Sequence, residues 1–357
     1  MQNPLIHVVQ HLAPGGLEVM ALELARAQAG QRPTLVLSLE GDAETAIAAW
    51  PRLAQHRDQL LFLGKRPGLD AALLPRLVAL FRRLRPWAVH THHVGPLLYA
   101  GPAARLAGVK RRLHTEHDAW HLNDAKRRAV VMLALRLARP VLVADAPHVA
   151  EAVQAAIGLL PKVVLNGVDT ARFTPGDQAA ARAALGLPPG RAILGVAARL
   201  EPVKGVDLAI AAMAHLPGDA LLAVAGNGSQ AAALRDQAQA LGVADRVRFL
   251  GLVQDMAGFY RALDGYCLPS RNEGLPLALL EAQASGLGVV AARVGGVPAA
   301  CDPHSARLVA SEDPAALAQG MQSLLANRGG DPRGFVLAHA SLAAAAGAYL
   351  TLAEEAA

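Results

Sequence analysis

Ser270-Arg271-Asn272-Glu273-Gly274-Leu275-Pro276-Leu277-Ala278-Leu279-Leu280-Glu281-Ala282 reads as a loop that turns into a helix. Pro276 suits a first helical position, where its missing N–H is not needed. The apolar run at residues 277–280 gives the helix a buried face, and Gly286 offers a stop. Glu273 then lies in the loop and Glu281 about a turn and a half inside the helix. The N–H groups of Gly274 and Leu275 point outward at such a start, which favours anionic or hydroxylated ligands. Strand-like runs at 265–268 and 288–291 flank this helix, so the stretch is the centre of a β-α-β unit.

The same alternation extends in both directions. In the second half, strands are predicted at 192–197, 220–225, 246–250 and 306–309. Helices are predicted there at 206–215, 230–241, 256–263 and 314–326. In the first half, strands are predicted at 5–10, 34–39, 87–91, 111–115, 141–144 and 162–165, with helices at 17–29, 70–84, 96–106, 124–139 and 148–157. Strict alternation of this length implies right-handed crossovers and parallel sheets covered on both faces. At 357 residues the chain exceeds what one core usually serves. A Pro/Gly-rich segment at 173–190 punctuates the middle. The reading is α/β, with two Rossmann-like doubly wound domains at 1–165 and 166–335 and a closing helix at 336–357. Two such domains facing one another would form a cleft lined by strand C-termini.

Composition excludes several classes. Hydrophobic residues at 53% against 18% charged describe a chain with a large core. No run of eighteen uncharged apolar residues marks a membrane span. The start lacks the layout of a signal peptide, and Cys267 and Cys301 are too few for a disulfide framework, so a cytoplasmic location is expected. The net charge of +5 is uneven: residues 1–165 hold 20 Lys+Arg against 12 Asp+Glu. The excess sits at Arg82-Arg83-Arg85, Lys110-Arg111-Arg112 and Lys126-Arg127-Arg128. No aromatic-interleaved basic segment points to nucleic acid. An anionic inner-membrane face, touched peripherally, or a phosphorylated acceptor fits the same charge.

Candidate chemistry gathers at strand exits. Gly15 and Gly16 precede a helix and leave N–H groups for an anion, though the pattern is not a dinucleotide fingerprint. His90, His92, His93, His114, His117 and His121 cluster after two predicted strands, with Glu116 between two of them. No metal-binding spacing accompanies them, so hydrogen bonding or acid/base work is the reading, and no metal is expected. Arg199 and Lys204, five residues apart at a strand exit, can converge on a phosphate. Gly226-Asn227-Gly228 forms a second glycine loop before a helix.

These motifs together resemble the retaining glycosyltransferases of family 4. The resemblance rests on Pro14-Gly15-Gly16-Leu17-Glu18, His114-Thr115-Glu116-His117, Asn166-Gly167-Val168-Asp169 with Phe173, Arg199 with Lys204-Gly205, Ala225-Gly226-Asn227-Gly228, Asp264 with Pro269-Ser270, and Glu273 to Glu281 as E-x7-E. It implies the GT-B fold and a nucleotide-sugar donor, UDP-linked first, whose sugar passes to a hydroxyl of a glycan, lipid or small molecule. Arg199 and Lys204 would stabilise charge on the leaving phosphate, with no cofactor and no metal. Glu273 would bind hydroxyls of the donor sugar and Glu281 those of the ribose. Gly274 and Leu275 would hold sugar and phosphates, and Gly15, Gly16, Asn227 and Gly228 would line the donor. Backbone near Leu252 would meet the base. His117 is assigned as the histidine near the donor sugar, with His114 and Glu116 as competing cleft residues. Retention would follow from front-face attack, the leaving phosphate helping to deprotonate the acceptor. One departure is Ala299, where the family carries Glu after Gly295-Gly296-Val297-Pro298. An epimerase or phosphorylase on the same fold, and a non-catalytic nucleotide-sugar-binding subunit, are the alternative readings.

Overall fold

A computed structural model describes residues 2–66, 68–327 and 329–356. Met1 and Ala357, the outer limits of the domain assignment above, lie outside the described residues. The chain divides into two compact units, residues 1–167 with 342–357, and residues 168–341.

The first unit is built on a seven-stranded parallel sheet. Its strands are β1 (Leu5–Val9), β2 (Thr34–Ser38), β3 (Leu60–Phe62), β4 (Ala88–His92), β5 (Arg111–Glu116), β6 (Val141–Ala144) and β7 (Lys162–Val163), in the order β3-β2-β1-β4-β5-β6-β7. The second unit has six parallel strands, β8 (Ile193–Ala197), β9 (Leu221–Ala225), β10 (Val247–Gly251), β11 (Gly265–Leu268), β12 (Val289–Ala292) and β13 (Arg307–Val309), in the order β10-β9-β8-β11-β12-β13. Central strands such as Leu-Leu-Ala-Val-Ala in β9 are buried at every position. Helices therefore cover both sheet faces, as a continuous apolar run demands. Each buried Leu or Val contributes about 1.5–3 kcal/mol. The second core joins Leu194, Val196, Leu222 and Val224 to Ile210, Met213 and Met321 of the flanking helices.

In each unit the order reverses between two neighbouring strands, β1 and β4 in the first and β8 and β11 in the second. Loops leaving such a pair diverge and open a crevice at the strand C-termini.

Local chemistry explains what sequence periodicity missed. The segment read as a Pro/Gly-rich boundary contains the helix Gln178–Ala184, whose cap is the Asp177 carboxylate accepting from the Ala180 N–H. Short β3 and the helix Ala43–Ala49 were also not anticipated; neither is long enough to show a period. The single closing helix expected over 336–357 is two helices, Pro332–His339 and Leu342–Glu355. They separate where Ala340 accepts a hydrogen bond from the Val168 N–H at 3.0 Å and Ser341 pairs with Val168. The last helix returns to the first unit: Gln28 Nε2 donates to the Ala346 carbonyl at 3.4 Å, and Thr115 Oγ1 donates to the Tyr349 hydroxyl at 3.3 Å.

Candidate active site

The loop leaving β8 carries Arg199 and Lys204; the loop leaving β11 carries Ser270 and Glu273. These are the two strands at which the second sheet reverses, and the side chains meet across it. Lys204 Nζ donates to Glu273 Oε1 at 2.8 Å, and Ser270 Oγ donates to the same oxygen at 2.7 Å. The Lys204 and Glu273 side chains keep 23% and 10% of their exposure, so the pair is largely desolvated yet reachable. Water screens such a pair less than a surface one, which strengthens its grip on an incoming charge.

Beside this pair lies a cavity of about 280 Å³ whose walls include Arg199, Asn227, Leu252, Met256, Tyr260 and Glu281. It collects residues from three strand exits and two helices spread over more than eighty positions. The buried Tyr260 hydroxyl donates to Glu281 Oε2 at 2.9 Å and fixes that carboxylate at the cavity wall. Burial, reinforced by the Glu281 charge, pushes the Tyr260 phenol well above its ordinary range, so it stays a donor. Tyr260 and Met256 were absent from the sequence reading. The signal for Tyr260 was weak, one aromatic on a short helix, and only folding brings it to Glu281.

The glycines of this site seat neighbouring backbone. Gly226 has φ +138°, and a Cβ there would lie 1.9 Å from the Ala198 carbonyl oxygen. A Cβ on Gly228 would lie 2.5 Å from the Leu200 carbonyl oxygen, and the Leu200 N–H donates to the Asn227 carbonyl at 2.9 Å. Their close approach is therefore to the backbone of the Arg199 loop, which they seat. Gly295, φ +46°, does the same for the glutamate loop, where a Cβ would lie 1.9 Å from the Glu273 carbonyl oxygen. The Gly296 N–H donates to the Gly274 carbonyl at 3.1 Å. Ala299, which departs from the family pattern, is exposed. Leu275 is buried, and Pro276 is the cap residue, with the helix Leu277–Ala284 starting one position later than predicted. Asp264 anchors structure: its Oδ2 accepts from Arg182 at 2.6 Å and from the Ile193 N–H at 2.7 Å.

In the first unit the strand pair β1 and β4 is occupied by imidazoles. His7 Nε2 meets Gln28 Oε1 at 2.8 Å, and His7 Nδ1 meets His92 Nε2 at 3.0 Å. His92 Nδ1 meets His117 Nε2 at 3.2 Å, and His117 Nδ1 meets Asp145 Oδ2 at 3.1 Å. Asn166 Nδ2 donates to the same Asp145 oxygen at 2.8 Å. The Gln28 amide nitrogen faces the Ala346 carbonyl, so its oxygen faces His7. Both ends of this chain are then acceptors, so the terminal rings turn an N–H outward, His7 toward Gln28 and His117 toward Asp145.

Burial lowers His7 to about 4 and holds His90 and His92 well below the usual range. One ring nitrogen each of His7, His90 and His92 falls within 4.8 Å of the others, a spacing that could hold a metal ion. Those rings already bond one another, Gln28, Thr115 and His117.

His114 and His117 differ in exposure. His114 is fully buried, its Nε2 3.1 Å from Glu116 Oε1 and its Nδ1 against Thr91. Glu116, 2% exposed, faces His121 from its other oxygen at 3.6 Å. Although burial opposes its charge, the His114 and His121 pairs hold this carboxylate well below its ordinary range. Burial opposes charge on His121 too, yet Asp118 and Glu116 raise it to about 9. His114 and Glu116, offered as possible acceptor or cleft residues, are buried in a hydrogen-bonded network; of the three, His117 is partly exposed. Gly15 caps the helix Gly16–Ala29, but the Glu18 carboxylate folds back over it, 2.3 Å from where a Cβ would stand. The Glu18 carboxyl of the helix's own first turn thus lies over that helix start, and burial raises it above its ordinary range.

The fold and both sites identify a class. A Glycosyltransferase Family 4 model matches residues 14–172, and a model of glycosyl transferases group 1 matches residues 177–335. The chain belongs to the family 4 glycosyltransferases. Among relatives, the D-inositol 3-phosphate glycosyltransferase of Mycobacteroides abscessus is 40% identical over 174 residues, 47% of this chain and 39% of that protein. The protein of the same name from Saccharomonospora viridis is 44% identical over 167 residues, 43% of this chain and 39% of its own length. The chain thus spans about two fifths of these relatives. Among solved structures, Anabaena HepE in complex with UDP superposes with a TM-score of 0.86 at 20% identity, covering 99% of this chain and all of that one. Its complex with UDP-glucose gives 0.82 at 22%, covering 99% of each chain. These likenesses establish the GT-B class of fold.

Proposed function

We propose that the protein transfers a sugar from a nucleotide diphosphate donor, a UDP-sugar, to an acceptor hydroxyl with retention of anomeric configuration. The observation that carries this is the convergence of Arg199, Lys204, Glu273 and a Tyr260-held Glu281 at the strand reversal of the second unit. In this reading Glu281 accepts the ribose hydroxyls, and Leu252 covers the base. Arg199 and Lys204 receive the charge that grows on the leaving diphosphate, a contribution realised in the transition state. Lys204 is shared with Glu273, so diphosphate binding draws the lysine partly off the carboxylate and frees it to bind donor-sugar hydroxyls. No metal is required for this charge balance, and activity is expected to persist in EDTA. Within the first unit, His117 is held by His92 and Asp145.

The complexes of HepE support UDP, and the names of the relatives support a phosphorylated polyol as one acceptor to try. The test is a product assay with UDP-sugars and hydroxyl acceptors, scored by mass spectrometry and anomeric NMR. Transfer with retention supports the reading. Donor epimerised without acceptor, turnover only with inorganic phosphate, or tight UDP binding without any turnover would each overturn it in favour of a named alternative.

A further inference from the structure

The helix Ala125–Ala138 does not bury all of its apolar residues. Val131, Ala134, Leu135 and Ala138 face the core, but Val130, Leu133 and Leu137 remain 41%, 54% and 47% exposed. Their spacing places them in one row on the outward face. Trp120, 61% exposed, stands at the head of that row, with the Arg127 guanidinium 5.6 Å from its ring centre. A mainly apolar cavity of about 420 Å³ opens between Trp120, His121, Lys126, Arg127 and Val130 and continues the face inward.

Cations border the row. Residues 125–139 contain Lys126, Arg127, Arg128, Arg136 and Arg139 and no carboxylate. The nearest acids are committed: the Asp124 carboxylate caps the helix by accepting from the Arg127 N–H, and Asp118 pairs with His121.

We infer that this face docks on an anionic lipid bilayer, the helix lying in the interface plane. A row of apolar side chains edged by long cationic ones, with an indole at one end, suits the boundary between headgroups and acyl chains. Lysine and arginine stems cover the flanks while their charges reach lipid phosphates. A second copy of this chain is a poor occupant, because pairing the face with itself sets five cations against five. Four exposed apolar side chains are also few for a stable protein interface, which takes some twenty residues a side. The inference stands independently of the sugar-transfer reading, since it concerns where the first unit rests and not what the second unit binds.

The test is co-sedimentation of the full chain with vesicles of phosphatidylcholine alone and of phosphatidylcholine with phosphatidylglycerol. The anionic vesicles should pellet at least about fivefold more protein, and roughly 0.5 M salt should reverse most of it. Leu133→Ser with Leu137→Ser, and separately Lys126→Glu with Arg127→Glu, should each lower binding about tenfold at unchanged melting temperature. Trp120 emission should shift blue on anionic vesicles, a shift absent in Trp120→Phe. Equal binding to neutral vesicles, or undiminished binding by both double variants, would overturn the assignment. Self-association abolished by the same substitutions would instead give the face to a second copy.

Discussion

The two units share a strand order and a reversal point but fill the crevice above it with opposite chemistry. In the second unit that crevice is edged by Lys204, Glu273, Arg199 and Glu281, charged groups with partial access to water. In the first it is packed with His7, His90 and His92, all fully buried, while His93 and His117 are partly exposed. The same topology therefore carries a charged, partly open pocket in one unit and a buried imidazole chain in the other. What differs is side-chain length and burial at strand ends, not backbone plan.

The comparison is open to attack in several places. The largest effect is expected in the second unit: Lys204→Ala or Glu273→Ala should each lower kcat/KM by about 10²–10³, as loss of a preorganised charge contact does. Melting temperatures should change little, because both side chains sit at a loop crevice. Full turnover in both variants would remove the proposed chemistry from this site.

Acid should find the first unit. A buried neutral His7 at about 4, against an ordinary 6.5, means the unfolded chain binds more protons between those values. Its folded-state stability is thus complete above pH 6.5 and is lost as pH falls toward 4, by roughly 3 kcal/mol from His7 alone. His90 and His92 add in the same direction. His121 works oppositely: raised to about 9, it contributes below its ordinary value and stops contributing as pH rises through 9. Hydrogen exchange at pH 7 and pH 5 should show protection falling first in β1 and β4; equal loss in β8 and β11 would break the contrast.

A smaller effect separates positioning from binding. Asp145→Asn weakens the acceptor that orients the His117 ring, and should lower kcat about tenfold to a hundredfold while leaving UDP affinity unchanged. The dependence of kcat on pH should shift with it. A matching loss of UDP affinity would mean that Asp145 acts on the fold and not through His117. Smallest of all, Tyr260→Phe deletes one hydrogen bond to Glu281 and should weaken UDP about fivefold by calorimetry, near 1 kcal/mol.

Much of this was legible in the chain, unevenly. Strongly periodic segments gave two strands and two helices their places, at 141–144, 265–268, 206–215 and 314–326. Elements too short to show a period, such as β3 and the helix Gln178–Ala184, were lost in turn-rich sequence. Among the described residues no helix is long and apolar enough to cross a membrane, in keeping with the apolar runs being short.

The candidate site divides along the same line. Arg199, Lys204, Glu273 and Glu281 were singled out by their order and spacing, and their roles came from the family resemblance that the joint motifs carry. The glycine loops were visible as glycines, but not that Gly226 and Gly295 yield to neighbouring carbonyls. Tyr260 and the chain from Gln28 through His7, His92 and His117 to Asp145 were not visible at all. Alternating polarity along a chain fixes which residues are buried and which strand they leave. It carries nothing about which buried donor will face which acceptor from a distant strand, since that depends on the order in which parallel strands are laid side by side. Sheet order alone brought residues 7, 92, 117 and 145 into one line, and made a pocket of 199, 260 and 281.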